Sequence, residues 1–361
     1  MKTLFLFSLT AFLLGGCLSD SGDTKAPGGG SGPQSTPAPT GAPSPTPAQT
    51  PQPTPSPKPH LVTGVNIHLD STPLVHLMAD MGAKWVRIDM NWSIMEPKEG
   101  VWDFAPFDLA IANAQAKGLK VFANIGYTPA WHSPNGKESG VPDAEKWKNF
   151  VRVAVGRYKD RVRHFGIWNE PNLEQFWTGS AEQYADVILK PACEIIRQID
   201  SGLKIGAPDL AHLYKPTIDV GVFLKAIKNR GADSCIDILT HHVYAEGDLD
   251  QRLTGFYFAG VLYKNGLKQW MENAGLWGKR VWITEFGQNI DGSTEENQAR
   301  WLVENLRVLA RTPWIDLAFI FEMTDDPRPD APYHMGLTRA DGSKRPAYFE
   351  VKNAIEKNFA P

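Results

Sequence analysis

Residues 280–287 read Arg-Val-Trp-Ile-Thr-Glu-Phe-Gly, and this stretch decides the fold class of the chain. The run Val281–Thr284 is short, apolar and rich in β-branched and aromatic side chains, so it predicts a buried strand. Glu285 follows at once, and a charged side chain beside such a run rarely lies there without a partner or a role. The segment Trp-Asn-Glu-Pro-Asn at 168–172 repeats the pattern, because Glu170 closes another short apolar run. Two such strands predict a parallel arrangement whose carboxyl ends meet at one site.

Short apolar runs alternate with helical patterns on both sides of these segments, which is typical of parallel strands joined by crossover helices. The predicted strands are Leu61–Ile67, Lys84–Asp89, Lys120–Ile125, Arg163–Asn169, Leu203–Ala207, Ile236–Tyr244, Arg280–Glu285 and Asp316–Phe321. The predicted helices are Pro73–Met81, Ala105–Lys117, Ala144–Arg157, Ala181–Ile199, Pro216–Asn229, Tyr263–Asn273, Glu295–Leu309 and Pro346–Lys357. Eight strand–helix pairs predict an α/β fold, a (βα)8 TIM barrel that forms one domain over residues 60–361.

The second predicted strand carries charge on the face that should point into the barrel. Side chains alternate along a strand, so Trp85, Arg87 and Asp89 share one face and the apolar residues between them share the other. The apolar face should meet the helices, which leaves Arg87 near the barrel axis, where an unpaired charge is costly. Arg87 is therefore either a residue of the functional site or one member of a structural ion pair.

The amino-terminal segment is set apart from the fold. A positive start and the apolar run Leu4–Leu14, shorter than the roughly 20 residues of a membrane-spanning helix, predict a signal peptide over residues 1–16. Leu-Gly-Gly-Cys at 14–17 resembles the bacterial lipobox, and that resemblance implies lipidation of Cys17; the alternative is an ordinary signal peptide with a chance cysteine. Residues 17–59 are dominated by Pro, Gly, Ser and Thr, which predicts an unfolded linker. We expect an exported protein that is lipid-anchored to the cell envelope, at the outer membrane or the cell surface.

Composition excludes several classes of function. A net charge of −3 lacks the basic excess of a nucleic-acid-binding protein, so no nucleic-acid partner is expected. No Cys/His cluster has metal-ligand spacing, and we expect neither a metal nor a cofactor. Cys193 and Cys235 are candidates for a disulfide in an exported protein, although their spacing alone does not show that they pair. We expect a monomer.

Two carboxylates that face one cavity suit the hydrolysis of a glycosidic bond. One carboxyl protonates the leaving oxygen, while the other attacks the anomeric carbon or activates a water. A separation of about 5–5.5 Å favours the covalent, retaining route, and a wider one leaves room for water and inversion.

The motifs around both glutamates resemble those of the clan A glycoside hydrolases, a retaining superfamily with its glutamates on the fourth and seventh strands. The match rests on 168–172, on 282–287 and on His242-Val243-Tyr244, which is similar to the clan's His-x-Tyr. The resemblance implies Glu170 as acid/base and Glu285 as nucleophile. It further implies that Asn169 binds the sugar 2-hydroxyl, that Tyr244 and Arg87 lie beside the nucleophile, and that His242 belongs to the site, whereas His241 should face away. The overall pattern looks nearest to family 39, with the cellulase-like family 5 as the competitor.

Candidate substrate contacts lie on the loops around this end of the barrel. Many clan members have a tryptophan at the end of the eighth strand, but Phe321-Glu322 stands there, and Glu322 is either a sugar-hydroxyl acceptor or a polar strand end. Aromatic rings pack on the C–H faces of sugars. The tryptophans on these loops either pack the loops together or contact the substrate, and we expect Trp131 and Trp177 to contact the substrate.

The predicted function is retaining hydrolysis of β-linked polysaccharide or oligosaccharide by double displacement. Glu285 should be ionised and held by Arg87 and Tyr244, while Glu170 should be protonated at the outset. Two alternatives stay open: a surface carbohydrate-binding barrel without catalysis, and a transglycosylase that passes the sugar to another sugar.

Overall fold

The computed structural model describes residues 61–69, 74–213, 216–244, 248–328, 331 and 333–359. Within these ranges eight parallel strands close into a barrel, and the first strand pairs with the eighth, with Val62 opposite Leu317. The (βα)8 fold predicted from the sequence is confirmed. The predicted signal peptide, Cys17 and the linker lie outside the described residues.

The eight barrel strands fall where the sequence predicts them. Their bounds are Val62–Ile67, Trp85–Asn91, Lys120–Gly126, His164–Ile167, Lys204–Ala211, Ile238–Tyr244, Arg280–Gly287 and Ile315–Ile320. The largest difference is in the fifth strand, which was predicted to end at Ala207 but continues to Ala211. It continues past Pro208 with an irregular register between Pro208 and Leu210.

The α-helices of the described residues are Val75–Met81, Trp92–Met95, Ala105–Ala116, Ala144–Tyr158, Ala181–Gln183, Lys190–Ile199, Val220–Asn229, Leu249–Thr254, Leu267–Asn273, Glu295–Arg311 and Pro346–Glu356. The predicted helix 181–199 contains a π-helical stretch, Tyr184–Leu189. The helix predicted to begin at Tyr263 begins instead at Leu267, because Phe256–Phe258 and Val261–Lys264 form an antiparallel hairpin before it. None of the helices in the described ranges is long and apolar enough to cross a membrane.

The second strand divides its side chains between two environments, as its alternation predicts. Val86, Ile88 and Met90 join the large core between strands and helices. Burial of each such side chain contributes roughly 1.5–3 kcal/mol to folding. Trp85 and Arg87 lie on the opposite face, inside the barrel, where Trp85 packs in a second, smaller apolar cluster.

That smaller cluster fills the amino-terminal half of the barrel and is called the plug below. It consists of Trp85, Phe122, Ile238, Trp282, Leu317 and Phe319. Glycines on neighbouring strands make room for the rings: a Cβ on Gly64 would lie 2.4 Å from the Phe319 ring, and one on Gly206 would lie 2.8 Å from Phe122. Large and small residues therefore alternate so that the interior is packed, which leaves the carboxyl-terminal end for the functional site.

A disulfide joins two segments on the outside of the barrel. Cys193, in the helix Lys190–Ile199, is bonded to Cys235, at the end of a short 3₁₀ turn, with 5.6 Å between their Cα atoms. The pairing that the sequence left open is thus present in the structure.

Candidate active site

Two neighbouring side chains of the seventh strand, Thr284 and Glu285, face the barrel interior because the strand carries one extra residue. The sixth strand pairs His241 with Ile283 but His242 with Glu285, so Thr284 has no opposite partner there. The eighth strand shows the same offset. Such a β-bulge re-aims side chains and is common beside active sites. As a result Thr284 and Glu285 both face the interior, although they are neighbours in sequence, and Ile283 faces the helices.

Glu170 lies three residues beyond the end of the fourth strand, in a tightly held turn. Trp168 and Glu170 have φ values of 71° and 43°, in the left-handed region that non-glycine residues rarely adopt. Two backbone hydrogen bonds hold this turn: the Trp168 N–H donates to the Ile125 carbonyl at 2.8 Å, and the Glu170 N–H donates to the Asp209 carbonyl at 3.0 Å. The motif at 168–172 therefore fixes the direction of the Glu170 side chain through contacts with the two neighbouring strands.

Asn172 completes this turn. Its side-chain amide donates to the Ala211 carbonyl and its oxygen accepts from the Ala211 N–H, both at 2.9 Å. The paired bonds join the turn to the end of the fifth strand, which explains why an asparagine follows Glu170-Pro171 at this point.

The two glutamates meet at the carboxyl-terminal end of the barrel. One oxygen of Glu170, one oxygen of Glu285 and a ring nitrogen of His242 all lie within 4.8 Å of one another. Oxygens this close fit the closely spaced carboxyl pair of the retaining route better than the wide pair that leaves room for a water between the groups.

Arg87 and Tyr244 hold the two oxygens of Glu285. Arg87 Nη1 lies 2.9 Å from Oε1, and the Tyr244 hydroxyl donates to Oε2. Arg87 Nη2 also donates to Asn169 Oδ1 at 2.8 Å. The structure thus brings together four of the residues that the sequence assigned to the site. Arg87 also lies 3.2 Å from Asp89, so the two alternatives for its charge both hold: it contacts the site and forms an ion pair on its own strand.

His242 lies between the two glutamates. Its Nδ1 is 2.9 Å from Glu170 Oε1 and 3.3 Å from Glu285 Oε2. Burial lowers the pKa of His242, but the surrounding carboxylates outweigh burial and raise the pKa to about 10. His241 points the other way, as expected, with its ring 5.4 Å from that of His212.

Burial has the largest effect on the charge of Glu285. It raises the pKa of Glu285 to about 7, against the lowering effect of His242 and Arg87, and the nearby charge of Glu170 raises it further. Glu285 is therefore ionised mainly above about pH 7. Arg87 and Tyr244 hold Glu285 as expected, and its ionisation in the working enzyme stays a prediction.

Two buried residues of the site were not found from the sequence. Asp209 is 1% exposed and accepts a hydrogen bond from Arg87 Nη2 at 3.2 Å, but it lies beyond the predicted end of the fifth strand. Asn66 accepts from Arg87 Nη1 at 3.0 Å and donates to the Thr284 and Ile320 carbonyls. Asn66 lay inside the predicted first strand, and a lone amide in an apolar run was the signal that could have found it.

The expected aromatic platform at Trp177 is wrong. Trp177 is 2% exposed, its Nε1 donates to the Ser180 carbonyl, and its ring packs edge-on against Trp168 at 5.2 Å. Gly179 lies against the ring so closely that a Cβ there would be 2.6 Å away. Because both faces of the ring are covered by protein, Trp177 supports the turn that carries Glu170 and offers no surface to a sugar.

Trp131 is half-buried and stays a candidate for substrate contact. Its Nε1 donates to the Glu96 carbonyl at 2.9 Å, which fixes the ring on the loop after the third strand. The Lys146 ammonium lies 5.8 Å from the ring centre. The rigid ring with a cation nearby is compatible with a sugar platform, and its contact with substrate remains a prediction.

Glu322 is 1% exposed at the end of the eighth strand. Its Oε2 lies 2.8 Å from His68 Nε2, while its Oε1 has no hydrogen-bond partner among the described residues. Burial raises the pKa of Glu322, and His68 opposes that rise. The unsatisfied oxygen favours the first of the two interpretations of Glu322, an acceptor for a ligand hydroxyl, because buried polar atoms normally have partners.

Known proteins resemble this chain in fold and in parts of the sequence. The structure of a family 39 β-xylosidase from Caulobacter crescentus superposes with a TM-score of 0.65 at 20% identity, covering 83% of this chain and 73% of that chain. A β-xylosidase from Caldicellulosiruptor saccharolyticus is 39% identical over 146 residues, which are 35% of this chain and 29% of that protein. A β-1,4-xylanase from Dictyoglomus thermophilum is 33% identical over 85 residues, 22% of this chain and 23% of that protein.

These two sequence relatives match over less than a third of their own length. At 20% identity, the structural likeness shows only that this chain and the family 39 enzyme have the same fold. The sequence model of the family described as cellulase, glycosyl hydrolase family 5, matches residues 53–315, most of the chain. The sequence motifs looked nearest to family 39, with family 5 as the competitor, and the family model matches family 5. The chain therefore belongs to the cellulase family, glycosyl hydrolase family 5.

Proposed function

We propose that this protein is a retaining β-glycoside hydrolase that acts on β-linked oligosaccharides or polysaccharides. The observation that carries the proposal is the proximity of the two buried carboxyl groups, with oxygens of Glu170 and Glu285 and the His242 ring within 4.8 Å of one another. Both glutamates are intact and held by partners, which supports catalysis over mere sugar binding.

In the first step a carboxylate oxygen of Glu285 attacks the anomeric carbon. The bond from that carbon to the leaving oxygen breaks as Glu170 transfers its proton to the leaving oxygen. The sugar is then esterified to Glu285, and the leaving group departs as an alcohol. In the second step Glu170, now a carboxylate, takes a proton from a water whose oxygen attacks the anomeric carbon and releases Glu285.

The neighbours of the pair have separate tasks. Tyr244 and Arg87 bind the two oxygens of Glu285, so they fix which lone pair faces the sugar. Asn169 is held by Arg87, which leaves its amide nitrogen to donate to the sugar 2-hydroxyl. Orientation of this kind lowers the barrier because the reacting groups need no rearrangement at the moment of reaction.

We further propose that the substrate contains β-linked xylose. The support is the names of the relatives, a β-xylosidase and a β-1,4-xylanase, each similar to part of this chain. Glu322, with one unsatisfied buried oxygen beside His68, suits a hydroxyl of the sugar bound at the cleavage site.

The test uses Glu285→Ala and Glu170→Ala in the full chain, with aryl β-xylosides, aryl β-glucosides and xylan as substrates. Glu285→Ala should remove turnover. Wild-type turnover in this variant would refute the proposal. For Glu170→Ala, azide should restore turnover of an activated aryl β-glycoside and give the β-glycosyl azide. An α-azide product would contradict retention, and sugar-to-sugar products without hydrolysis would favour the transglycosylase.

We also propose that the protein is exported and lipid-anchored through Cys17, which rests on the lipobox-like sequence at 14–17. Growth of a bacterial host with labelled fatty acid should label the full-length protein. Cys17→Ser should abolish the label and release the enzyme from the membrane fraction. Equal labelling of both proteins would refute the anchor at this residue.

A further inference from the structure

Asp209 is a buried carboxylate whose side chain contacts Arg87, Thr284 and His242 of the site. Its Oδ2 accepts from Arg87 Nη2 at 3.2 Å, and its Oδ1 accepts from the Thr284 hydroxyl at 2.5 Å. The same Oδ1 lies 3.7 Å from His242 Nε2, an ion-pair distance. Its backbone carbonyl accepts the N–H of Glu170 at 3.0 Å.

These contacts connect Asp209 to both catalytic groups through intermediaries. Arg87 and His242 each touch Asp209 on one side and Glu285 on the other. His242 also touches Glu170. Asp209 is therefore placed to act on the glutamates through the two cations that contact them.

The charges of this cluster sum to one negative charge when Glu285 is ionised. Arg87 and a protonated His242 carry two positive charges, and Asp89, Asp209 and Glu285 carry three negative ones. Buried charges are costly unless they are compensated, so a further carboxylate charge beside this group is disfavoured. One charged and one neutral glutamate is also the arrangement that double displacement needs at the start.

We propose that Asp209 is a positioning residue that keeps Glu285 and Glu170 in opposite protonation states, by fixing Arg87 and His242 and by compensating their charge. This inference rests on the proposed function. Without the charge of Asp209, the site loses one negative charge, which makes it easier for a further carboxyl group to ionise or for His242 to lose its proton. Either change works against a protonated Glu170.

The first test is the pH–rate profile of Asp209→Asn, a substitution that keeps shape and removes charge. A unit charge within about 4–6 Å shifts a neighbouring pKa by 1–3 units, so we expect both limbs of the kcat/KM profile to move to lower pH by roughly one unit. We expect kcat at the wild-type optimum to fall on the order of 100-fold, as a misplaced catalytic group does. The titratable groups around Asp209 and its partners include Arg87, Asp89, Tyr127, Glu170, Tyr184, His241, His242 and Glu285.

The matched control is Asp325→Asn, since Asp325 is equally buried and pairs with Arg345 outside the catalytic pair. It should lower the melting temperature and leave both limbs in place. If the kcat/KM–pH profile of Asp209→Asn has its limbs at the same pH values as the wild type, the inference is overturned. Activity of Glu285→Ala would overturn the proposed function instead.

A second measurement uses the unaltered chain, in case Asp209→Asn does not fold. In a protein with ¹⁵N-labelled histidines, one imidazole should keep both ring nitrogens protonated at pH 8, and that signal should be lost in His242→Asn. A His242 ring that is neutral at pH 7 would overturn the inference, because the charge that Asp209 compensates would be absent.

Discussion

The two ends of the barrel interior are built from the same strands and have opposite chemistry. The amino-terminal end is the plug, in which aromatic and aliphatic side chains contact one another, with the His164 ring stacked on Trp282 and the Lys120 ammonium 5.4 Å from the Trp85 ring centre. The carboxyl-terminal end holds Arg87, His242, Asp209 and the two glutamates, all buried. On the second strand the change occurs within two residues, from Trp85 to Arg87.

This difference separates the part of the interior that stabilises the fold from the part that serves the reaction. Apolar burial in the plug stabilises the folded state directly. Buried ion networks contribute little or can even cost stability compared with apolar packing, and they persist where function needs them. Substitutions in the plug should therefore mainly lower the free energy of unfolding, and substitutions at the carboxyl-terminal end should mainly lower activity.

The largest expected effect is on activity, at the catalytic end. Glu285→Gln removes the nucleophile while keeping its shape, and kcat should fall about 10⁵-fold or more, as for other nucleophile substitutions. The melting temperature should not fall, because a buried, partly protonated carboxyl is replaced by a neutral amide. A large loss of stability in this variant would mean that the charged end also holds the fold together.

Next in size is the effect of a cavity in the plug. Phe122→Ala should lower the free energy of unfolding by about 3–5 kcal/mol, because the ring is fully buried and the glycines around it cannot fill the space. Specific activity of the folded fraction should stay close to that of the wild type. The control is Phe349→Ala, where the ring is 56% exposed, and its denaturant midpoint should barely change.

The pH dependence is a smaller effect that belongs to the catalytic end alone. The nucleophile must be ionised, and the pKa of Glu285 is raised to about 7, so kcat/KM should fall as the pH drops through about 7. Each further unit of pH below that point should cost about tenfold. Denaturation curves at the same pH values separate this loss from unfolding, and an acid limb near pH 4 would show that burial does not control this carboxyl group.

The smallest effect expected is at Trp131, on the rim of the catalytic end. Trp131→Ala should raise KM for an oligosaccharide by a factor of about 2–10, in line with the 0.5–1.5 kcal/mol of an aromatic contact, and leave kcat nearly unchanged. Trp177→Ala is the comparison: its ring is enclosed by protein, so its removal should lower stability first. If Trp177→Ala raised KM without lowering stability, Trp177 would be a substrate contact after all.

The sequence was sufficient for features that depend on short patterns. The eight strands, Glu170, Glu285 and the inward direction of Arg87 follow from local apolar runs and from side-chain alternation. Residues whose role depends on distant packing were missed. Asp209 lies past a proline at which the predicted strand stopped, and its partners come from three other strands.

The burial of Trp177 is a second case of this kind. The sequence places it correctly on a loop, but the ring is covered because Gly179 and Trp168 lie against it. The raised pKa of Glu285 likewise depends on how deeply the carboxyl is enclosed, which no spacing of residues reveals.

The bulge at Thr284 lets two consecutive side chains of the seventh strand serve the site, where a regular strand would offer every second one. Glu285 contacts Arg87 and Tyr244, and its neighbour Thr284 donates to Asp209. Deleting Thr284 would close the bulge and leave Glu285 opposite His242, still facing the interior, but Asp209 would lose the hydroxyl that donates to it. One extra residue thus doubles the number of polar groups that this strand end supplies to the site.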